Sequence, residues 1–261
     1  MTMTTRDLLA SASRIVVKVG SSSISGEREH QMAGLVDALA TWHAAGKELV
    51  LVSSGAIATG APYLKLSDRA QDLATQQAAA AVGQNLLMGR YQKLLDRHQM
   101  TSAQVLLTVG DVENDTHRTN ALRTMDRLLG LRILPIVNEN DTVATQEIRF
   151  GDNDRLAALV ADFISADVLV LLSDVESLFS HPPGDPRAVR IDTVAFNDPL
   201  EHVELGPAMV NSVGTGGAVT KVSAARLAAT AGIPTLLTAT KSLGDVVAGT
   251  VAGTWFEAGL K

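Results

Sequence analysis

A glycine-rich loop ahead of a lysine is the clearest candidate for chemistry in this sequence. Residues 214–221 read GTGGAVTK, with three glycines in four positions directly before a predicted helix. Such a run would be costly inside a helix, whereas a helix N-terminus offers free N–H groups to an anion. Thr215 and Thr220 can add hydroxyl donors, and Lys221 opposes the helix dipole unless an anion lies beside it. The loop therefore favours a phosphate site over a flexible turn.

Lys18 is a second lysine that could face an anion. It lies inside an otherwise apolar predicted strand, residues 14–19, just ahead of Gly20, Ser21 and Ser22. A glycine without Cβ lets backbone N–H groups approach phosphate oxygens closely. A lysine is seldom fully buried without a partner, so this side chain either reaches solvent at the strand end or points over the loop at an anion. Both interpretations stay open at this position.

Polar side chains cluster in three further loops beside predicted strands and helices. Residues 138–141 read NEND after a strand, and residues 151–154 read GDND before a helix. Asp152 or Asn153 would suit a helix N-cap, yet two such clusters exceed what capping needs. Acidic residues there could recognise an ammonium group or orient lysines. Residues 53–56, SSGA, could bind an anion or form an ordinary turn.

The loop at Ser173 and Asp174 ends the most apolar predicted strand, residues 168–172. An aspartate in this position can hold a nucleotide or cap the next turn, and sequence reasoning alone does not decide between them. Ligands in open α/β sheets bind beyond the carboxyl ends of the strands. We therefore expect the site among these loops.

Composition and missing motifs exclude several classes of protein. The chain has 261 residues, of which 46% are hydrophobic, and it has no cysteine, which excludes disulfides and thiolate catalysis. A net charge of −6 argues against a general nucleic-acid binder. Neither a P-loop nor a G-x-G-x-x-G fingerprint occurs, and the six histidines show no metal-ligand spacing. Without a signal peptide or an apolar run of membrane-spanning length, we expect a cytoplasmic protein.

Strands and helices alternate along the chain, and they must position these loops. The predicted strands are 14–19, 48–52, 102–107, 133–137, 168–172, 235–238 and 254–256. The predicted helices are 30–45, 68–98, 119–129, 155–166 and 220–231. This order predicts a mostly parallel sheet with helices on both faces. We expect a helix break near Gly83, a hairpin around 188–194, and a strand-start or edge position for Pro135.

Together these loops closely resemble those of the amino acid kinase family. The matching motifs, in chain order, are VKVGSS at 17–22, VSSGAI at 52–57, residues 77–84 ending in AVGQ, LLT at 106–108, VNENDTVA at 137–144, FGDND at 150–154, LSD at 172–174, and GTGG through Lys221. They cover almost the whole chain. The NEND and GDND pair is specific to the branch of the family that phosphorylates glutamate.

The resemblance implies a role for each candidate residue. Lys18 and Lys221 would hold the phosphoryl group in flight, and Asp154 would organise the two lysines. The residues expected to bind ATP are Lys18, Gly20, Ser173, Asp174, Thr215, Gly216, Gly217, Ala218, Val219, Thr220 and Lys221. The residues expected to bind glutamate are Ser54, Asp141 and Asn153. None of these is expected to be a dedicated metal ligand.

The resemblance also implies the fold and the reaction. The fold would be one domain over residues 1–261, a three-layer α/β/α sandwich with a mostly parallel central sheet. The reaction would be ATP-dependent phosphorylation of the γ-carboxylate of L-glutamate, the first step of proline biosynthesis, with Mg²⁺. That carboxylate is already anionic at pH 7 and needs no general base, so catalysis would consist of positioning and charge stabilisation. A homo-oligomer and feedback inhibition by proline are implied as well.

Three departures from the family pattern stand out. Ala218 occupies a position where the family usually has methionine, and Ser173 replaces a usual threonine. Many bacterial members also carry a C-terminal PUA domain, which resembles RNA-binding domains. Because the sequence ends at Lys261, we expect that domain to be absent.

Two other functions remain as alternatives. One is a kinase of the same fold that acts on acetylglutamate, aspartate, a nucleoside monophosphate or carbamate. The loops at 138–141 and 152–154 argue against it, because they supply no arginine for a phosphate-bearing acceptor. The other is a non-catalytic ligand sensor, against which the two lysines and Asp154 argue.

Overall fold

A single eight-stranded sheet organises the computed structural model, which describes residues 5–65, 72–143, 153–205, 217–250 and 252–259. Its strands are β1 Arg14–Val19, β2 Glu48–Ser53, β3 Ser102–Leu107, β4 Leu134–Glu139, β5 Val168–Ser173, β8 Thr193–Val194, β9 Thr235–Ala239 and β10 Thr254–Phe256. They lie in the order β3-β4-β2-β1-β5-β9-β10-β8, and only the β9–β10 pair is antiparallel. β6 Leu178–Phe179 and β7 Arg190–Ile191 form a separate antiparallel pair.

Helices cover both faces of this sheet, which confirms the three-layer α/β/α prediction. The helices are α1 Thr5–Ser11, α2 Ser21–Ile24, α3 Gln31–Ala44, α4 Ala56–Gly60, α5 Leu73–Leu95, α6 Val109–Glu113, α7 Asp115–Gly130, α8 Asn153–Phe163, α9 Ala218–Thr230 and α10 Leu243–Val247. Successive strand side chains point to opposite faces. In β1, Ile15 and Val17 therefore pack in a core with α3, α5 and α10, while Val16 packs with α7, α8 and α9.

The sheet register brings the candidate loops to one edge. Lys18 is level with Val52 of β2 and with Leu171 of β5, and Val52 is level with Val137 of β4. These four strands are parallel, so the loops that leave their carboxyl ends lie side by side. The open-sheet rule places a ligand site along this edge.

The predicted break near Gly83 is wrong, because α5 runs unbroken through this residue. The glycine serves a helix–helix contact instead. A Cβ on Gly83 would lie 1.8 Å from the carbonyl oxygen of Ala56, and a Cβ on Gly60 would lie 1.9 Å from the carbonyl oxygen of Ala79. Two glycines therefore let α4 and α5 approach to backbone contact.

The edge position considered for Pro135 is also wrong, since β4 lies between β3 and β2. The strand-start alternative fits, because the proline is the second residue of β4. Pairing of β4 with β2 begins at Ile136, one residue after the proline. A proline lacks the N–H that such a pairing would need.

The hairpin prediction located only one of its two strands. Residues 190–191 pair with residues 178–179, and Thr193–Val194 instead joins the main sheet beside β10.

Helix α7 begins four residues earlier than predicted, because the side chain of Asn114 accepts the N–H groups of Thr116 and His117. Among the described residues, no helix combines the length and apolar character needed to cross a membrane.

Candidate active site

Two lysines from different elements meet on one aspartate at the carboxyl edge of the sheet. Lys18 of β1 places its Nζ 2.7 Å from Oδ1 of Asp154, and Lys221 of α9 places its Nζ 3.1 Å from Oδ2. Asp154 belongs to the first turn of α8. The exposed fractions are 3% for Lys18, 2% for Asp154 and 7% for Lys221. The lysine of β1 therefore does not reach solvent, which excludes the first interpretation of its position.

The Lys18–Asp154–Lys221 cluster is held together by charge. Burial alone would raise the pKa of Asp154, but the two ammonium groups hold that pKa well below its ordinary value. The hydroxyl of Thr220 donates to Oδ2 of Asp154 at 2.7 Å. Two ammonium groups and one carboxylate leave one net positive charge in a buried position. A site of this kind attracts an anion.

The described residues beside this cluster include two glycines, Gly20 after β1 and Gly217 before α9. A Cβ on Gly20 would lie 3.6 Å from Nζ of Lys18, so the turn after β1 passes directly in front of the ammonium group. On the other side, Gly217 precedes α9, whose first turn holds the predicted residues Ala218, Val219, Thr220 and Lys221. Thr215 and Gly216 lie outside the described residues. A glycine backbone therefore lies beside each lysine of the cluster.

Ser173 is the last residue of β5, which lies next to β1 in the sheet, and Asp174 directly follows it. The hydroxyl of Ser173 accepts the N–H of Val175 at 3.4 Å, so serine rather than aspartate caps the next turn. Asp174 is half-exposed and forms a 3.2 Å ion pair with Arg28. Arg28 also approaches the carbonyl oxygen of Ser22. Sequence reasoning missed this arginine, which ties the loops after β1 and β5 together.

The predicted acceptor residues lie at neighbouring strand ends. Ser54 directly follows β2, and Asp141 lies two residues beyond β4. Strands in a sheet are about 4.8 Å apart, so β4 lies roughly 10 Å from β1 across β2. Asn153 is buried at the start of α8, and its Oδ1 accepts no hydrogen bond from the described part of the chain. Asp152 lies outside the described residues.

A cavity of about 230 Å³ opens beside Asp141. It is lined by Ala80, Ala81, Gln84, Asn85, Met88, Gln104, Leu106, Glu139, Asn140, Asp141 and Thr142. Burial and the nearby Glu139 carboxylate raise the pKa of Asp141 to about 7. Two carboxylates and no lysine or arginine among the described lining residues make this cavity suited to an ammonium group.

Comparison with known proteins agrees with this geometry. The model of the amino acid kinase family matches residues 13–239. The chain belongs to the amino acid kinase family. Among solved structures, a carbamate kinase from Giardia lamblia bound to AMP-PNP superposes with a TM-score of 0.66 at 16% identity, covering 96% of this chain and 100% of that one. At that identity, the likeness shows the fold.

Relatives in this family are named glutamate 5-kinase. One from Clavibacter sepedonicus is 65% identical over 248 residues, which cover 95% of each chain. One from Leifsonia xyli is 64% identical and covers 98% of this chain and 95% of its own. A third, from Streptomyces avermitilis, is 53% identical; the match covers 97% of this chain but 68% of that protein.

Sequence reasoning assigned no role to three buried residues, Gln84, Asn138 and Glu139. Nδ2 of Asn138 donates to Oε1 of Gln84 at 2.7 Å, and Oδ1 of Asn138 accepts the backbone N–H of Glu139 at 2.9 Å. Gln84 ends the AVGQ motif and Glu139 lies inside NEND, so both were visible in the pattern. The pattern did not show that Gln84 of α5 contacts Asn138 near the end of β4, 54 residues further along the chain.

Proposed function

We propose that this chain catalyses the ATP-dependent phosphorylation of the γ-carboxylate of L-glutamate to L-glutamyl 5-phosphate, the reaction of a glutamate 5-kinase. The observation that carries the proposal is the buried Lys18–Asp154–Lys221 cluster, whose two ammonium groups and one carboxylate leave net positive charge. The names of relatives at 64–65% identity support the same activity, which would be the first step of proline biosynthesis.

The two lysines act on the transferred phosphoryl group in this proposal. A carboxylate acceptor and a triphosphate repel each other, so the main obstacle is negative charge and not proton removal. Lys18 and Lys221 offset that charge, and buried donors are most effective at such charge because water is excluded. Asp154 stays ionised and keeps both ammonium groups in place. Phosphoryl transfer needs positioning and charge stabilisation of this kind.

The nucleotide is assigned to the loops on the β1 and β5 side. The chain atoms proposed to contact it are those of Gly20, Ser173 and Asp174, together with the first turn of α9 and residues 215–217. Free N–H groups at the start of α9 suit phosphate oxygens. Ala218, which stands at a usual methionine position, leaves more room beside this turn.

Mg²⁺ is proposed to accompany ATP. Within the described ranges, no three His, Asp or Glu side chains form a group that could hold a metal ion, and Asp154 is already bound by two ammonium groups. Mg²⁺ would therefore be held mainly by phosphate oxygens, as is common for nucleotide sites. The half-exposed carboxylate of Asp174 could contact it. Bound there, the ion would supply further positive charge to the phosphates.

The acceptor is assigned to the β2 and β4 side. Asp141 is proposed to bind the α-ammonium group of glutamate, while Ser54 and Asn153 contribute polar contacts. The described lining of the cavity contains no lysine or arginine, which disfavours a phosphate-bearing acceptor. A purely sensory protein would have no need of the buried Lys18 and Lys221 pair.

Three finer expectations belong to the same proposal. The catalytic unit is one domain over residues 1–261, the enzyme forms a homo-oligomer, and proline inhibits it. Sedimentation of the purified chain measures the oligomeric state. Initial rates with and without proline, at fixed glutamate, measure the inhibition.

A substrate comparison tests the activity directly. ADP release is measured with glutamate, aspartate, acetylglutamate and no acceptor, each with saturating ATP and Mg²⁺. We expect glutamate to give the highest kcat/KM by a wide margin. A higher rate with acetylglutamate or aspartate would replace the proposed acceptor, and no ADP release with any of them would support the sensor alternative.

A further inference from the structure

Helix α5 contacts the loop after β2 through a buried tyrosine. The hydroxyl of Tyr91 lies 2.9 Å from Oγ of Ser53, the last residue of β2, and both side chains are fully buried. Ser53 Oγ also donates to the carbonyl oxygen of Ser54 at 3.2 Å. A serine has one hydroxyl hydrogen, so the tyrosine is the donor in this pair. Burial raises the pKa of Tyr91, which keeps that hydrogen in place.

The same helix contacts the end of β4 through a glutamine. The backbone N–H of Glu139 donates to Oδ1 of Asn138, which fixes the orientation of the Asn138 amide. Its Nδ2 must then donate, and the acceptor is Oε1 of Gln84 at 2.7 Å. The β4 backbone thus fixes the orientation of the Asn138 amide, and that amide fixes the orientation of the Gln84 amide in α5. Asp141 lies two residues after Glu139 in the chain.

Gln84 and Tyr91 are seven residues apart, which is two helical turns, so they share one face of α5. One residue before Gln84 the helix is held against α4, because the Cβ that Gly83 lacks would lie 1.8 Å from the carbonyl oxygen of Ala56. Helix α4 directly follows the turn at Ser54 and Gly55. The position of α5 is therefore tied to both acceptor-side loops.

We propose that α5 is the positioning element of the acceptor site, with Tyr91 orienting the Ser53–Ser54 turn and Gln84 orienting the loop that carries Asp141. This inference rests on the proposed function. Tyr91 acts through Ser53, and Gln84, which also lines the cavity beside Asp141, acts through Asn138. The Lys18–Asp154–Lys221 cluster is built from β1, α8 and α9 instead. Changes in α5 should therefore alter the KM for glutamate and leave the KM for ATP unchanged.

A double-mutant cycle tests the tyrosine. Tyr91→Phe keeps the packing and removes one hydroxyl, and Ser53→Ala removes its partner. Loss of a neutral hydrogen bond corresponds to about a threefold to tenfold change in an equilibrium constant. We expect each single variant to raise the KM for glutamate by that factor. Tyr91→Phe should add nothing further in the Ser53→Ala background.

A second cycle tests the glutamine. Gln84→Met has a similar length but removes the acceptor, which leaves the buried Nδ2 of Asn138 without its partner. An orphaned buried donor is costlier than a lost bond, so we expect a larger rise, roughly tenfold or more, in the KM for glutamate. In an Asn138→Ala background, Gln84→Met should have no further effect.

Gln92→Met is the matched control. Gln92 lies on the same helix, but it bonds to the first residue of β3, at the amino end of that strand, whereas the candidate site lies at the carboxyl ends of the strands. Its Oε1 accepts the N–H and the hydroxyl of Ser102 at 2.9 and 2.8 Å. This variant should lower the melting temperature and change neither KM.

Three results would overturn the inference. They are unchanged KM for glutamate in both α5 variants, equal rises in the KM for ATP, or full additivity in both cycles. Wild-type enzyme that releases no ADP with glutamate would instead contradict the proposed function, so the two failures are distinguishable.

Discussion

The proposed phosphoryl-transfer side and the proposed acceptor side each contain a buried aspartate, Asp154 and Asp141, and the pKa values of these two residues are shifted in opposite directions. Asp154 lies between two ammonium groups, which lower its pKa. Asp141 is buried beside Glu139, and both factors raise its pKa. Burial is nearly complete at both positions. Burial raises the pKa of both carboxyl groups, but the two ammonium groups beside Asp154 reverse that shift there, so Asp154 stays an anion while Asp141 can change its charge near neutral pH.

The two sides are also held in place differently. Ion pairs assemble the phosphoryl side from β1, α8 and α9. Neutral hydrogen bonds from α5 support the acceptor side. In the proposed reaction, charged side chains stabilise the phosphoryl group during its transfer. Neutral hydrogen bonds fix the acceptor loops without adding charge near the ammonium group of the acceptor.

The largest expected effect follows from removing the shared anion. Asp154→Asn would leave two buried ammonium groups without a counter-charge, and breaking a buried pair in this way costs about 3–5 kcal/mol. We expect a clear loss in the free energy of unfolding, measured by urea titration, together with loss of activity. Asp162→Asn, on the same helix but half-exposed and paired with Arg118, should change stability little. Equal stability of the two variants would contradict the role of Asp154.

Removing either lysine should mainly affect catalysis. One electrostatic donor is typically worth about 10²–10³ in kcat, so Lys18→Ala and Lys221→Ala should lower kcat by that factor. Lys93→Ala, at an exposed position of α5, is the control and should keep normal kinetics. A Lys221→Ala enzyme with near-normal kcat would refute the assignment.

Asp141→Asn should affect the acceptor alone. A hydrogen bond to a charged group contributes about 1.5–3 kcal/mol, which corresponds to roughly a tenfold to hundredfold rise in the KM for glutamate. The KM for ATP should not move. Weaker ATP binding with normal glutamate affinity would show that Asp141 belongs to the nucleotide side.

The pH dependence should be smaller and confined to the same side. With a pKa of about 7, Asp141 is mostly protonated at pH 6 and mostly ionised at pH 8. The KM for glutamate should therefore fall by about tenfold between these values, and this dependence should vanish in Asp141→Asn. A wild-type KM for glutamate that does not change with pH would contradict the raised pKa of Asp141.

The stability of the fold should also depend on pH, with opposite signs for the two aspartates. The folded pKa of Asp154 lies below its unfolded value, so its contribution is present above about pH 4 and is lost as the pH falls further. Asp141 has a raised folded pKa, so its contribution declines as the pH rises from about 4 to 7. Urea midpoints of wild type and Asp141→Asn across this range would separate the two.

The sequence by itself determined the strand–helix order, the loops at the strand ends and the family. These features are local, since a buried strand shows as an apolar run and a phosphate loop shows as glycines before a helix. Strand bounds such as Ser102–Leu107 were predicted correctly for the same reason. The candidate residues Lys18, Asp154 and Lys221 were all visible as types in suitable loops.

Only the tertiary structure decided how those residues act on one another. Gly83 shows as a helix breaker in the sequence, but contact with α4 makes it part of a continuous helix. Arg28 had no local signal, because its partner Asp174 lies 146 residues away. The opposite pKa shifts of Asp154 and Asp141 likewise depend on neighbours brought together by the sheet. Such electrostatic and packing effects depend on distances through space, which spacing along the chain does not encode.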